Sequence, residues 1–128
     1  MRDTAHLVFY VADQAASTSF YARVLDRAPR LDVPGMTEFE LGGGAVLGLM
    51  PVTGIRRLLG DRLPDPALAR GTPRAELYLH VDDVAAYHRR ALAAGADELS
   101  GPAMRDWGHQ VAYSLDPDAH VLAFAHAE

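Results

Sequence analysis

The chain has 128 residues, 49% of them hydrophobic, which is enough for one compact domain with a substantial core. Its net charge of −5 does not favour nucleic acid or an anionic membrane as a partner. It contains no cysteine, so disulfides and thiolate metal sites are excluded. No apolar run is long enough to span a bilayer, and the start MRDTAH lacks the apolar segment of a signal peptide. We therefore expect a cytoplasmic protein.

The first predicted element is a strand in HLVFYVAD, residues 6–13. Its side chains alternate between two faces, because successive residues of a strand point to opposite sides. Asp13 stands where a helix cap is needed, and QAASTSFYARVLD after it has helical spacing of apolar residues. The aliphatic face holds Leu7, Phe9 and Val11, and the other face holds His6, Val8 and Tyr10.

Three further strands and a linker are predicted next. APRLDV suggests a short strand, and MTEFELGGGAVLGLMP reads as a hairpin that turns at Gly42 to Gly44. Residues 51–73 then form a linker with four arginines, in which IRRLL suggests a short helix followed by proline-rich coil. These elements complete a strand–helix–strand–strand–strand order.

The same order is repeated in the second half of the chain. ELYLHVDD at 76–83 matches HLVFYVAD with an offset of 70 residues, and Asp83 again precedes a helical stretch, VAAYHRRALAAG. ADELS suggests one strand, and QVAYSLDPDAHVLAFA suggests a hairpin that turns at Asp116 to Ala119. Anchoring the two hairpin turns aligns Gly48 with Ala123.

This repeat predicts an α+β fold of two βαβββ modules in one domain spanning residues 1–128. Module one covers about 4–50, the linker 51–73, and module two about 74–126. Each module has one helix for one face of its mixed sheet, so we expect the uncovered faces to form a cup with the helices outside. The polar side of ELYLH then points into the cup with Glu76, Tyr78 and His80.

The paired modules, the FYARVL and GGG segments and the stretch WGHQVAYSLDPDAH resemble the vicinal-oxygen-chelate superfamily. This superfamily includes glyoxalase I, bleomycin-resistance proteins and extradiol dioxygenases, and the resemblance covers nearly the whole chain. Its metalloenzymes take one ligand from each of four equivalent strand positions. Those positions fall here on His6, Gly48, Glu76 and Ala123, and the last-strand pair has no donor side chain. The resemblance therefore implies a member without metal or other cofactor, closest to bleomycin-resistance proteins.

Six residues are candidates for ligand binding. The only tryptophan, Trp107, lies in the loop RDWGH, where an indole is placed either to stack on a flat ligand or to plug the module edge. His6 is read either as a ligand contact or as a hydrogen-bonded structural histidine, and Glu76 either as a ligand contact or as an exposed acid. We expect no function from His88 (solvated on its helix), His120 (in its turn) or His126 (at a loose end). The candidates are His6, Tyr10, Glu76, Tyr78, His80 and Trp107.

Three functions remain open at this point. The first is binding of a small organic ligand in a metal-free cup. The second is a metal-independent lyase or isomerase of glyoxalase type, with Glu76 or His6 as general base. The third is a divalent-metal enzyme that completes its ligand shell from His80 or water. In each case we expect a homodimer, because the long linker lets the modules pair within or between chains.

Overall fold

In the computed structural model, residues 3–127 are described, and they divide into two compact units. The first unit comprises residues 3–22 and 26–68, and the second comprises residues 23–25 and 69–127. The first half of the chain contains β1 (His6–Val11), α1 (Gln14–Leu25), β2 (Leu31–Val33), β3 (Met36–Gly42), β4 (Ala45–Pro51) and α2 (Val52–Leu59). The second half contains β5 (Glu76–His80), α3 (Val84–Ala93), β6 (Asp97–Met104), β7 (His109–Leu115) and β8 (Val121–Ala127).

Each unit is built on one four-stranded mixed sheet. The strand order is β1-β4-β3-β2 in the first unit and β5-β8-β7-β6 in the second. β1 pairs with β4 and β5 with β8 in parallel, and all other neighbours are antiparallel. The α+β class and the βαβββ repeat predicted from the sequence are therefore confirmed.

The strand register reproduces the alignment inferred from the hairpin turns. Val8 lies opposite Gly48 in the first sheet, and Tyr78, 70 residues after Val8, lies opposite Ala123 in the second. Gly48 and Ala123 therefore occupy equivalent positions.

Both helices that follow the opening strands begin at the predicted caps. The Asp13 carboxylate accepts a hydrogen bond from the Ala16 amide at 3.0 Å, and the Asp83 carboxylate accepts one from the Ala86 amide at 3.0 Å. Such a cap satisfies one of the amides that the first helical turn leaves without a partner.

The core of each unit lies on the aliphatic side of its sheet. Phe9 and Val11 are buried in β1, and Leu77 is buried in β5. At Leu7 the pattern predicts more burial than is found, since Leu7 is 39% exposed, and Leu79 is only partly buried. Alternation assigns a side chain to one face of the sheet, but how deeply a side chain at the end of a strand is buried depends on the neighbouring elements.

The linker contains more structure than proline-rich coil. α2 begins at Val52, before the predicted IRRLL, and short 3-10 turns follow at Gly60–Arg62 and Pro66–Ala69. Within residues 3–127, no helix is both long and apolar enough to cross a membrane.

The sequence suggested a solvated His88, but in the structure this side chain is buried. It is 4% exposed, and its Nε2 lies 2.8 Å from a carboxylate oxygen of Glu98. The buried side of α3 follows Val84, His88 and Ala91, a spacing of four and three residues, so the imidazole points to the sheet side. His126 also differs from expectation: it lies in β8, with its Nδ1 3.0 Å from the carbonyl oxygen of Val81.

A candidate ligand-binding face on the second unit

One face of the second sheet carries a cluster of aromatic rings, which we call the aromatic face (Tyr78, His80, Trp107, His109 and Tyr113). It is the side away from α3. Phe124 lies between Ala123 and Ala125 in β8 and points to the opposite side of the sheet, where its ring lies 5.4 Å from the ring of Tyr87 in α3. Two alanines in the middle of β8, Ala123 and Ala125, are fully buried beneath this face. Such small side chains let large rings from the neighbouring strands pack close to the sheet.

A chain of two hydrogen bonds joins three of these rings. The Trp107 indole N–H donates to the Tyr78 hydroxyl oxygen at 2.8 Å, and that oxygen lies 2.6 Å from Nδ1 of His109. Tyr78 and His109 are partly buried, whereas Trp107 is 55% exposed. The indole is thus held at its nitrogen while much of its surface remains open to solvent.

His80 extends the cluster towards the end of β5. Its ring meets those of Tyr78 and His109 edge to face, with centroids 5.4 and 5.5 Å away. Edge-to-face contacts of this kind favour defined ring orientations. An open pocket of about 250 Å³ lies beside it, lined by His80, Val81, Asp82, Ala125, His126 and Ala127.

The loop that carries Trp107 is anchored by Arg105. The guanidinium donates to the Ser100 hydroxyl at 2.9 Å and to the Val111 carbonyl at 2.8 Å, and it lies 5.1 Å from the centre of the Tyr113 ring. The loop closes through a 3.0 Å bond from the Gly108 amide to the Arg105 carbonyl, and Gly108 has a φ of +88° that favours glycine. Arg105 therefore ties the turn that carries the indole to β6 and β7.

Glu76 and Tyr113 are coupled electrostatically at the other end of the face. The pKa of Tyr113 is raised above its ordinary value of 10.0 by burial first, then by the charge of Glu76 and by Tyr78, while Arg105 opposes the rise. Glu76 itself is exposed and makes no ion pair within residues 3–127. The face therefore combines a protonated phenol with a free carboxylate.

The first unit places different groups on the equivalent strands. His6 Nδ1 lies 3.5 Å from a carboxylate oxygen of Glu38, and Arg30 lies 2.9 Å from the other oxygen. The Glu38 side chain is only 15% exposed, whereas Arg30 and His6 are about 40% exposed. Tyr10 is 37% exposed. We call the first three residues the His6–Glu38–Arg30 cluster.

The structure thus brings together four of the six predicted site residues: Glu76, Tyr78, His80 and Trp107 are in the second unit. His6 and Tyr10 are in the first unit, where His6 contacts Glu38. Sequence reasoning missed His109 and Glu38. The alternation of β7 was a usable signal for His109, since it places His109, Val111 and Tyr113 on one side of the strand.

Metalloenzymes of the superfamily that this chain resembles bind their metal at four strand positions, and the residues that this chain has at those positions do not fit a metal ion. Gly48 and Ala123 offer no donor atom, and Ala123 is completely buried. A Cβ added at Gly48 would lie 3.2 Å from Val8 and 3.3 Å from Met36, so larger side chains have little room. Residues 3–127 also contain no group of three histidine or acidic side chains arranged to hold a metal. Two donors, His6 and Glu76, fall short of the three that catalytic sites of this kind commonly use.

Comparison with known proteins agrees with this fold. Residues 6–125 match the family model described as a glyoxalase-like domain. An uncharacterised protein of Mycobacterium bovis is 30% identical over 123 residues, covering 90% of this chain and 76% of that protein. An uncharacterised protein of Mycobacterium tuberculosis is also 30% identical, covering 90% of this chain and 68% of that protein.

Solved structures show the same architecture. A glyoxalase-related enzyme from Fulvimarina pelagi superposes with a TM-score of 0.81 at 25% identity, over 98% of this chain and 88% of that one. A glyoxalase/bleomycin resistance protein/dioxygenase from Nocardioides gives a TM-score of 0.77 at 22% identity, over 99% and 84% of the two chains. The chain belongs to the glyoxalase-like domain family, within the vicinal-oxygen-chelate superfamily that its repeated modules resemble.

Proposed function

We propose that this protein binds a small, flat organic ligand on the aromatic face of its second unit, without a metal ion. The observation that carries the proposal is the half-exposed Trp107 indole, held at its nitrogen by Tyr78 beside the imidazole of His109. Exposed apolar patches that are rimmed by polar residues commonly mark binding sites. Glu76 and His80 supply polar groups at the edge of the same face.

Restraint of the indole favours binding in energetic terms. Ring stacking contributes roughly 0.5–1.5 kcal/mol beyond the area that is buried. Ordering a mobile side chain costs about 0.5–1.5 kcal/mol, which would cancel most of that gain. Because Trp107 is already held by a hydrogen bond, and its loop by Arg105, much of this cost is removed before the ligand arrives.

The proposal is tested by thermal-shift screening with natural products and planar heteroaromatic metabolites. Because Trp107 is the only tryptophan, its fluorescence reports binding at this face directly. We expect hits to change its emission, and Trp107→Leu to weaken their binding about tenfold or more, the usual cost of losing an aromatic anchor. Leu68→Ala, at an apolar side chain that is 84% exposed in the first unit, is the control and leaves affinity unchanged. Hits that bind Trp107→Leu as tightly as wild type contradict the proposal.

A second candidate is a metal-independent lyase or isomerase of the glyoxalase type. It is favoured by the Glu76 carboxylate, which has no ion-pair partner within the described residues and is therefore available as a base. His6 is the weaker base candidate, because it already contacts Glu38. Product analysis of any bound ligand separates catalysis from binding, and for an enzyme Glu76→Gln would abolish turnover while retaining binding.

We also propose that the protein is a cytoplasmic homodimer of twice 13.9 kDa. Each sheet is open, so β1 and β2 in the first unit and β5 and β6 in the second are edge strands within their sheets. Exposed strand edges favour pairing with another chain. Sedimentation at tens of micromolar that shows only monomer would refute the dimer. Ligand contacts from His6 and Tyr10 stay a prediction from the sequence; the same binding assay with His6→Ala and Tyr10→Ala checks it, and unchanged affinity in both variants limits the site to the aromatic face.

A further inference from the structure

The hydrogen bonds at Tyr78 determine which nitrogen of His109 carries the proton. An indole N–H can only donate, so the Tyr78 oxygen is an acceptor towards Trp107. At 2.6 Å from His109 Nδ1, the Tyr78 oxygen either donates its own hydrogen or accepts a second one. If it accepted both, its hydroxyl hydrogen would have no partner among residues 3–127. Only donation from Tyr78 to Nδ1 gives both hydrogens a partner, and it leaves neutral His109 protonated at Nε2.

The Nε2 atom of His109 is then free to meet a ligand. It has no hydrogen-bond partner within the described part of the chain. Nor is the Nε2 atom fully buried. In that part of the chain, the fully buried side-chain nitrogen and oxygen atoms without a hydrogen-bond partner are His88 Nδ1 and Ser114 Oγ, and His109 Nε2 is not among them. A fixed N–H group that is not fully buried therefore lies on the same face as the exposed indole of Trp107, and both rings bond to the Tyr78 oxygen.

We infer that His109 is the specificity-determining hydrogen-bond donor of the aromatic face, and that its ligand is a planar aromatic molecule with a hydrogen-bond acceptor at its edge, such as a ring nitrogen or a carbonyl oxygen. This inference rests on the proposed function. His80 does not impose the same choice, because its ring makes no hydrogen bond within residues 3–127 and offers one donor and one acceptor in either tautomer. His109 discriminates because Trp107 and Tyr78 hold its tautomer.

The tautomer is tested without any ligand, by long-range proton–nitrogen NMR of the histidine rings. The spectrum is recorded about two pH units above the ordinary imidazole pKa of about 6.5, so that free rings are neutral. His120 and His126 serve as internal references, because their Nδ1 atoms face a carboxylate and a carbonyl oxygen, which only accept. We expect the proton on Nδ1 in both references and on Nε2 in His109. A proton on Nδ1 of His109 overturns the inference.

The ligand class is tested with quinoline and indole, two planar bicyclic probes that offer a ring acceptor and a ring donor respectively. We expect quinoline to bind about fivefold more tightly, the effect of one net hydrogen bond, and to shift the Nε2–H resonance of His109. In Tyr78→Phe no hydroxyl fixes the tautomer, so the His109 proton distributes over both nitrogens. The preference for quinoline then falls to about twofold or less, because Nε2 no longer always carries the hydrogen that quinoline accepts. Equal binding or a preference for indole overturns the ligand class. Binding of neither probe with His109 still protonated at Nε2 refutes the proposed function and the ligand class, while the tautomer assignment stands.

Discussion

The two sheets share one backbone plan but present opposite chemistry on equivalent strands. In the first unit, one row across the sheet contains Val8, Gly48 and Glu38. In the second unit, the equivalent row contains Tyr78, Ala123 and Tyr113. Register therefore preserves position in the repeat, while side-chain choice decides whether that position carries ions or rings.

The difference has a direct consequence for binding. In the first unit, the Glu38 carboxylate is already engaged by Arg30 and His6, so its charge is largely compensated. In the second unit, the hydrogen bonds tie the rings to each other and leave the Trp107 indole open. An exposed indole with free polar groups near it, the His109 Nε2 atom and the Glu76 carboxylate, suits a flat ligand. We therefore place the candidate site on the second unit.

Ala123→Glu is expected to have the largest effect on stability. The change places a carboxylate at a fully buried position that packs against Val111, Tyr78 and Tyr113. The expected loss is about 3 kcal/mol or more of unfolding free energy, because an unpaired buried charge is strongly destabilising. Urea unfolding measures it, and Ala123→Gln, of equal size without charge, should lose less. Stability within about 0.5 kcal/mol of wild type, the range of ordinary surface changes, would show that position 123 is not buried.

Tyr78→Phe should have the next largest effect, since it removes the oxygen shared by Trp107 and His109. We expect a loss of about 1–2 kcal/mol in stability, because two partners lose their bond at a partly buried site. Tyr10→Phe is the matched control in the first unit: that hydroxyl makes no hydrogen bond within the described residues, and its loss should change stability by less than about 0.5 kcal/mol. Equal losses in the two variants would remove the distinction between the faces.

Glu38→Gln tests the ionic half of the comparison. Arg30 and His6 are both about 40% exposed, so solvent screens their contacts with Glu38. We expect a loss below about 1 kcal/mol in unfolding free energy, which shrinks further at high salt. Glu40→Gln, at a side chain that is 70% exposed and 4.0 Å from Arg30, is the control and should be near neutral. A loss that persists undiminished in high salt would mean that the cluster is structural rather than ionic.

The smallest expected effect concerns the alkaline titration of Tyr113. Its folded pKa lies above 10.0, so the folded state retains this proton more tightly than the unfolded state does. The stabilisation from this proton is therefore complete below about pH 10 and declines as the pH rises through the folded pKa. Phenolate absorbance of wild type minus Tyr113→Phe should isolate a late-ionising tyrosine, and Glu76→Gln should lower its pKa. An unchanged titration in Glu76→Gln would show that the two groups are not coupled.

Much of the fold could be predicted because its signals are local. Alternation identified β1 and β5, Asp13 and Asp83 marked the helix starts, and the two hairpin turns aligned Gly48 with Ala123. Each of these signals acts over a few residues, through side-chain direction or backbone capping.

The missed features depend on which strands become neighbours. His109 joins the site because β7 begins after the Trp107 turn, and because the β5–β8–β7 order brings it within reach of Tyr78. Glu38 reaches His6 from β3, across β4. The burial of His88 follows from the orientation of α3, which its mixed polar and apolar spacing did not define. Such contacts are tertiary, and a single sequence reports them only after the sheet order is known.

The most direct test of the account is a proton–nitrogen NMR titration of the uniformly labelled protein with a library of planar aromatic fragments. The two faces can be compared in one spectrum, since Trp107 supplies the single indole N–H signal and Arg30 can be followed through its Nε–H signal, which reports its bond to Glu38. We predict that fragments shift the Trp107 indole signal and the amides of Tyr78 and His109, while the Arg30 signal stays in place. Fragment shifts centred on the His6–Glu38–Arg30 cluster, with the Trp107 signal unchanged, would contradict ligand binding on the aromatic face.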